Sequence, residues 1–169
     1  MAKIGISILS WAHGHVGVYA GKIREFDDAR LVSCWDDDAA RGRANAEKHG
    51  IPFRPHLEDV LHDPAVECVI IGSHTNRHAD LAVAAAEAGK AVLLQKPMAL
   101  SLADADRILA AVEKSRIWFS LAFQMRHDPA NLAMKRLVEE GAVGRVGIVR
   151  RRHCIGLLLD KAFVEGPSR

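Results

Sequence analysis

The sequence is poor in cysteine and aromatic residues, has no excess of either charge and lacks any long apolar run, and these shortages exclude whole classes of protein. Three cysteines in 169 residues, Cys34, Cys68 and Cys154, stand singly without C-x-x-C spacing; this excludes a small disulfide scaffold and reads as reduced, buried thiols of a cytosolic protein. Lys plus Arg number 23 against 21 Asp plus Glu, a formal charge of +2, and the one dense basic run is Arg150-Arg151-Arg152-His153, so no nucleic-acid partner is implied. No stretch of 18 apolar residues occurs, and the run from Ile4 to Leu9 is too short for a secretory signal; no membrane span is available and a cytoplasmic location is expected. With 49% hydrophobic, 26% charged and 5% aromatic residues, the composition is that of one globular domain. At such a length roughly 70% of the unfolded surface is buried on folding, so a core forms without disulfides or metal.

Short apolar runs alternate with segments of helical period. Ile4–Leu9, Arg30–Trp35, Val66–Ile71, Ala91–Leu94 and Trp118–Ala122 read as strands, and 16–26, 39–49, 77–88, 102–114 and 129–140 as helices. That alternation predicts an α/β fold, a doubly wound parallel sheet covered on both faces. Local signals agree: Ser101 with Asp104 forms a capping box, Asp128-Pro129 opens a helix that Gly141 closes, and Gly50 and Gly89 end two others. From Gly144 the pattern turns strand-like over Val146–Arg152 and then runs into an apolar tail, which reads as the first strand of a missing α+β domain. The expected division is 1–123 for the sheet domain and 124–169 for a linking helix and the start of an incomplete second domain.

In such a sheet, ligands sit at the carboxyl ends of the strands. The first of these turns reads Ser10-Trp11-Ala12-His13-Gly14-His15-Val16-Gly17. It would bring a pyrophosphate against backbone N–H groups at a helix N-terminus, although a full G-x-G-x-x-G is absent and Gly14 and Gly17 do not match its spacing. Asp36, about 20 residues on, is placed to accept hydrogen bonds from an adenosine ribose and to repel a 2′-phosphate, which favours NAD over NADP; Asp37, Asp38 and Arg41 stand beside it, and capping acids in a helix first turn are an equal reading. His13 and His15, with His74 and His78, do not have the third-ligand spacing of a zinc site and are expected to bind no metal. Two further rim loops follow the third and fourth strands, Gly72-Ser73-His74-Thr75-Asn76-Arg77-His78 and Gln95-Lys96-Pro97. Lys96 can donate to a substrate oxygen, or act as an acid or base where its surroundings lower its pKa.

These segments, in this order and with Phe123-Gln124-Met125-Arg126-His127-Asp128-Pro129 and Gly141-Ala142-Val143-Gly144-Arg145 after them, resemble the Gfo/Idh/MocA oxidoreductases, relatives of glucose-fructose oxidoreductase and inositol 2-dehydrogenase. The resemblance covers essentially the whole chain. It implies a nicotinamide-dependent dehydrogenase that moves hydride between NAD and a sugar, cyclitol or similar polyol, with Lys96 matching the lysine of the family's Glu-Lys-Pro motif. By the same match Trp11, Ala12, His13, Gly14, His15 and Val16 line the cofactor turn. Ser73, His74, Thr75, Asn76 and His78 lie along the cofactor, Gln95 and Pro97 flank Lys96, and Gln124 and Arg126 stand near the nicotinamide. Two departures stand out: the glycine-rich turn is replaced by Trp11–His15, and Gln95 replaces the glutamate.

Family members are roughly twice this length, so the resemblance implies a truncated chain that binds cofactor better than it catalyses, and homo-oligomers in the full-length form. A tail after about His153 without its partner sheet is expected to be partly disordered or to pair with a second copy. Two other readings share the sheet: a non-enzymatic dinucleotide-binding or sensor module, and a methyltransferase, for which the glycine cluster is missing and Gln95-Lys96-Pro97 has no role.

Overall fold

Apolar-rich segments three to seven residues long, too short for core helices, become strands of one sheet. In the computed structural model, which describes residues 3–152, these are β1 (Ile4–Leu9), β2 (Ala29–Trp35), β3 (Cys68–Ile71), β4 (Ala91–Leu94) and β5 (Phe119–Leu121). All pairs are parallel and the order is β2-β1-β3-β4-β5. The helices are α1 (Val16–Ile23), α2 (Ala39–His49), α3 (Leu57–Leu61), α4 (His78–Glu87), α5 (Leu102–Ser115) and α6 (Pro129–Glu139). Phe53 adds a single parallel bridge to Cys34 on the outer side of β2. Counting it as a rudimentary strand, the row follows the 3-2-1-4-5-6 order of dinucleotide-binding sheets, with the chain reversing direction across the sheet between β1 and β3.

Period-2 alternation divides each strand between two cores. Val69, Ile71, Val92 and Leu94 face α3, α4 and α5 and join Leu81, Ala82, Ala85 and Ile108 in one buried cluster. Ile8, Cys34 and Ile70 face the other way, with Trp11, Val16, Ala20 and Ile23. The second face is covered only in part: Ile6, Cys68, Ile70, Leu93 and Trp118 line an apolar groove of about 280 Å³ beside Tyr19, Ile23 and Phe26, and Trp118 is 61% exposed.

The expected helix ends are formed by the expected groups. Ser101 accepts from the Asp104 N–H at 3.1 Å, Asp128 from the Asn131 N–H at 3.0 Å, and Gly50 takes a left-handed φ of 58° at the end of α2. The third strand starts at Cys68 rather than Val66, because the Val66 N–H closes a turn onto the Asp63 carbonyl. The five-residue α3 is below the length at which periodicity is readable. The chain separates into the unit 1–122, which holds the whole sheet, and the unit 123–169, in which α6 buries none of its residues. Residues 146–152 pair with no strand among the described residues; a strand needs a neighbour to hydrogen-bond, so the apolar alternation there remains without a ladder. The expectations for the tail after His153, and for Cys154, fall outside the described residues.

Candidate functional site

The strand ends of the first unit converge on the turn Ser10–His15 between β1 and α1. Ser10 is fully buried and has a φ of 70°, a left-handed conformation usually left to glycine. Its hydroxyl lies 3.3 Å from Asp36 Oδ1 and 3.1 Å from Asp37 Oδ1, and the Ala12 N–H points back at it. Trp11 turns inward and stacks on His49 at 4.8 Å between ring centroids, which leaves its backbone rather than its indole at the rim. Burial lowers the pKa of His49, and nearby Arg24 adds to the effect.

Asp36 is enclosed. It accepts from the Trp11 N–H at 2.8 Å, the Asp38 N–H at 2.9 Å, and Arg41 through Nε at 3.0 Å and Nη2 at 2.6 Å. Arg41 also reaches Asp37 at 2.9 Å, and the hydrogen bond to Asp36 holds its pKa above the ordinary arginine value. The carboxylate expected to face a ribose therefore works first as a clasp between the turn and the end of β2. Asp37, whose side chain is 28% exposed, is the acid at the surface. Gly42 makes the clasp possible: a β-carbon there would press on the Phe53 ring and stand 2.8 Å from Asp36 Cβ.

On the other side of the turn, Gln95 and Lys96 follow β4. Gln95 is 1% exposed; its Oε1 accepts the Lys96 N–H at 2.8 Å and its Nε2 lies 3.2 Å from both His13 Nδ1 and Tyr19 Oη. The His15 N–H also points at His13 Nδ1, at 3.2 Å. Burial, with His15, Lys96 and His78 nearby, lowers the His13 pKa to about 4, so the ring is neutral. His78, in the first turn of α4, is fully enclosed, with Nδ1 2.8 Å from the Pro97 carbonyl and Nε2 3.2 Å from the Ser73 carbonyl. It ties the loops after β3 and β4 together and does not face the rim; burial lowers its pKa against the pull of those carbonyls. The Lys96–Pro97 peptide is cis.

Ser73 is buried, His74 and Thr75 are half-buried and Asn76 is exposed; Thr75 and Asn76 begin the short 3-10 turn that leads into α4. Gln124 and Arg126 belong to the second unit, where Arg126 lines a groove of about 680 Å³ with Phe123, Met125, Asn131, Leu132, Lys135 and Arg151.

The turn fits a dinucleotide. The Trp11, Ala12, His13 and His15 N–H groups are spent on partners inside the protein, whereas Gly14 is exposed and a β-carbon on it would meet nothing within 4 Å. It stands just before α1, whose first turn carries no acidic residue. His74 Nδ1 is buried beside the rim without a partner among the described residues. Ala12, Gly14 and Gly17 hold the three positions of G-x-G-x-x-G with alanine in the first, so the mismatch read in the sequence was an error of alignment. Gly72 supplies a further close approach, since a β-carbon there would strike Val16 and stand 2.9 Å from the Ser10 carbonyl. Sequence reasoning missed Ser10 and Tyr19. The signal for Ser10 was a small residue directly after β1 facing acids directly after β2; for Tyr19 there was none.

The family model described as an oxidoreductase family with an NAD-binding Rossmann fold matches residues 13–123. The myo-inositol 2-dehydrogenase of Thermotoga maritima is 33% identical over 141 residues, 81% of this chain and 42% of the relative. The inositol 2-dehydrogenase 1 of Saccharopolyspora erythraea is 38% identical over 130 residues, 75% and 38% of the two chains. The WlbA dehydrogenase of Chromobacterium violaceum, solved with NADH and UDP-GlcNAcA, superposes with a TM-score of 0.80 at 25% identity, over 86% of this chain and 42% of that one. The chain thus spans about two-fifths of the length of the relatives it matches. With the sheet order, the turn and the match over 13–123 in agreement, the chain belongs to the Gfo/Idh/MocA oxidoreductase family, and its first unit is that family's NAD-binding Rossmann domain.

Proposed function

We propose that this chain is the cofactor-binding part of a dehydrogenase that oxidises a secondary hydroxyl of a cyclitol or sugar. The observation that carries the reading is the convergence of the β1 turn, the β3 loop and Lys96 at one edge of the sheet, bound together by Gln95 and His78. When bound there, NAD supplies a hydride acceptor. The chain's own residues handle position and protons. Gly14 and the start of α1 receive the pyrophosphate; the Asp36–Arg41–Asp37 cluster faces the adenosine side; Ser73, His74, Thr75 and Asn76 border the cofactor; and Lys96 Nζ holds the substrate hydroxyl and takes part in removing its proton. Arg41 already answers two carboxylates, so a 2′-phosphate must compete with both, which supports NAD over NADP. The same reading has the protein cytoplasmic, with reduced thiols, and homo-oligomeric at full length. Burial pushes the Cys68 thiol up to about 11, which keeps it protonated and unreactive.

One observation favours a non-enzymatic dinucleotide-binding module: the Gln95 amide is spent on His13, Tyr19 and the Lys96 backbone, so it brings no charge to Lys96. Assaying the full-length protein against inositols and sugars with NAD separates the two. Oxidation that falls by about 100-fold or more in Lys96→Ala, the scale of a lost acid/base group, with NADH affinity retained, supports the dehydrogenase. NADH binding without oxidation of any polyol supports the module.

A further inference from the structure

His13, at a non-glycine position of the turn, and Gln95, which stands where the family has glutamate, meet in space. The Gln95 amide is fully used: Oε1 takes the Lys96 N–H at 2.8 Å, which fixes the amide's orientation and leaves both Nε2 hydrogens to donate, one towards His13 Nδ1 and one towards Tyr19 Oη, each at 3.2 Å. The His15 N–H converges on the same His13 nitrogen at 3.2 Å. Two donors aimed at Nδ1 require a lone pair there, so the ring proton sits on Nε2. A glutamate at 95 presents acceptors in both places; facing Nδ1 it calls for a protonated imidazole, the Nδ1–H tautomer or a flipped ring.

We propose that Gln95 is a positioning residue that holds His13 as the neutral Nε2–H tautomer, so that the imidazole presents a fixed donor to the dinucleotide from the turn. The glutamine and the histidine then form a matched pair across the rim. The part concerning the ligand rests on the proposed dinucleotide site; the tautomer does not. The titratable groups facing His13 are His15, Lys96 and His78, with Tyr19 across Gln95.

The test is imidazole ¹⁵N–¹H spectroscopy of the ligand-free chain against pH, followed by NADH titration at pH 6 to 8. In the unaltered chain His13 shows an unprotonated Nδ1 and a midpoint near 4. Gln95→Glu raises that midpoint by about 1–3 pH units, as an opposite charge at hydrogen-bond range does. Gln95→Met, which keeps the length and removes the donor, raises it less and serves if the glutamate variant does not fold. NADH affinity in Gln95→Glu acquires a pH dependence of about threefold or more across that range, and adding His13→Ala abolishes it. A His13 midpoint near 6.5 in the unaltered chain, or one unmoved by either substitution, overturns the pairing. A chain that binds no NADH at any pH overturns the dinucleotide reading alone, since the ligand-free titration still decides the tautomer.

Discussion

The turn after β1 is fastened from two sides by two unlike clusters. On the β2 side the fastening is ionic: Ser10, Trp11 and Asp38 are drawn to Asp36, with Arg41 closing the group. On the β4 side it is neutral: the Gln95 amide reaches His13 and Tyr19, and burial keeps the imidazole uncharged. The ionic cluster is saturated, and its central carboxylate is closed to solvent. The neutral cluster leaves His13 Nε2 without a partner among the described residues. The lesson of the difference is a division of labour, in which one side carries the stability of the turn and the other meets the ligand.

Breaking the ionic side has the largest expected effect. Asp36→Ala leaves the Trp11 N–H without its acceptor and Arg41 with Asp37 as its remaining carboxylate, and an unsatisfied buried donor together with a weakened ion pair costs about 3 kcal/mol, to be read from urea unfolding. NADH affinity falls with it through loss of the turn rather than of a ribose contact, so Asp36→Asn, which keeps an acceptor, recovers much of both. Next comes Gly72→Ala, where the added methyl is forced against Val16 and the Ser10 carbonyl; overpacking of this kind costs about 1–3 kcal/mol, again measured by urea unfolding. A control away from the turn, Ser101→Ala, removes the cap of α5 for about 1 kcal/mol and leaves NADH affinity unchanged.

The pH dependence sharpens the same comparison. Burial holds the folded pKa values of His13, His49 and His78 below the ordinary histidine value of about 6.5. The unfolded chain therefore binds more protons as pH falls below about 6.5, and stability declines from there towards pH 4. Denaturant midpoints across that window should fall, and His13→Gln should reduce the slope.

Much of this was legible in the sequence. Strand-length apolar runs and the caps at Ser101, Asp128 and Gly50 located most elements to within a few residues, because those signals are local. The rim positions of Ser73, Lys96 and Asp36 followed from a parallel sheet having its loops at one edge. What could not be read was direction. Nothing in the sequence says that Asp36 folds under the turn, that His78 turns away to hold two carbonyls, or that Gln95 reaches His13, a partner 82 positions away. Such contacts depend on packing between distant segments, as does Phe53 beside β2, where a single bridge leaves no periodicity to detect.

The most direct test of the account is a fluorescence titration of this chain with NADH and NADPH, using Trp11 and the nicotinamide as reporters. The account predicts saturable NADH binding, weaker NADPH binding because Arg41 is already held by Asp36 and Asp37, and loss of the NADH signal when the turn is released in Asp36→Ala. Equal or tighter binding of NADPH, or NADH binding unaffected by Asp36→Ala, would contradict it.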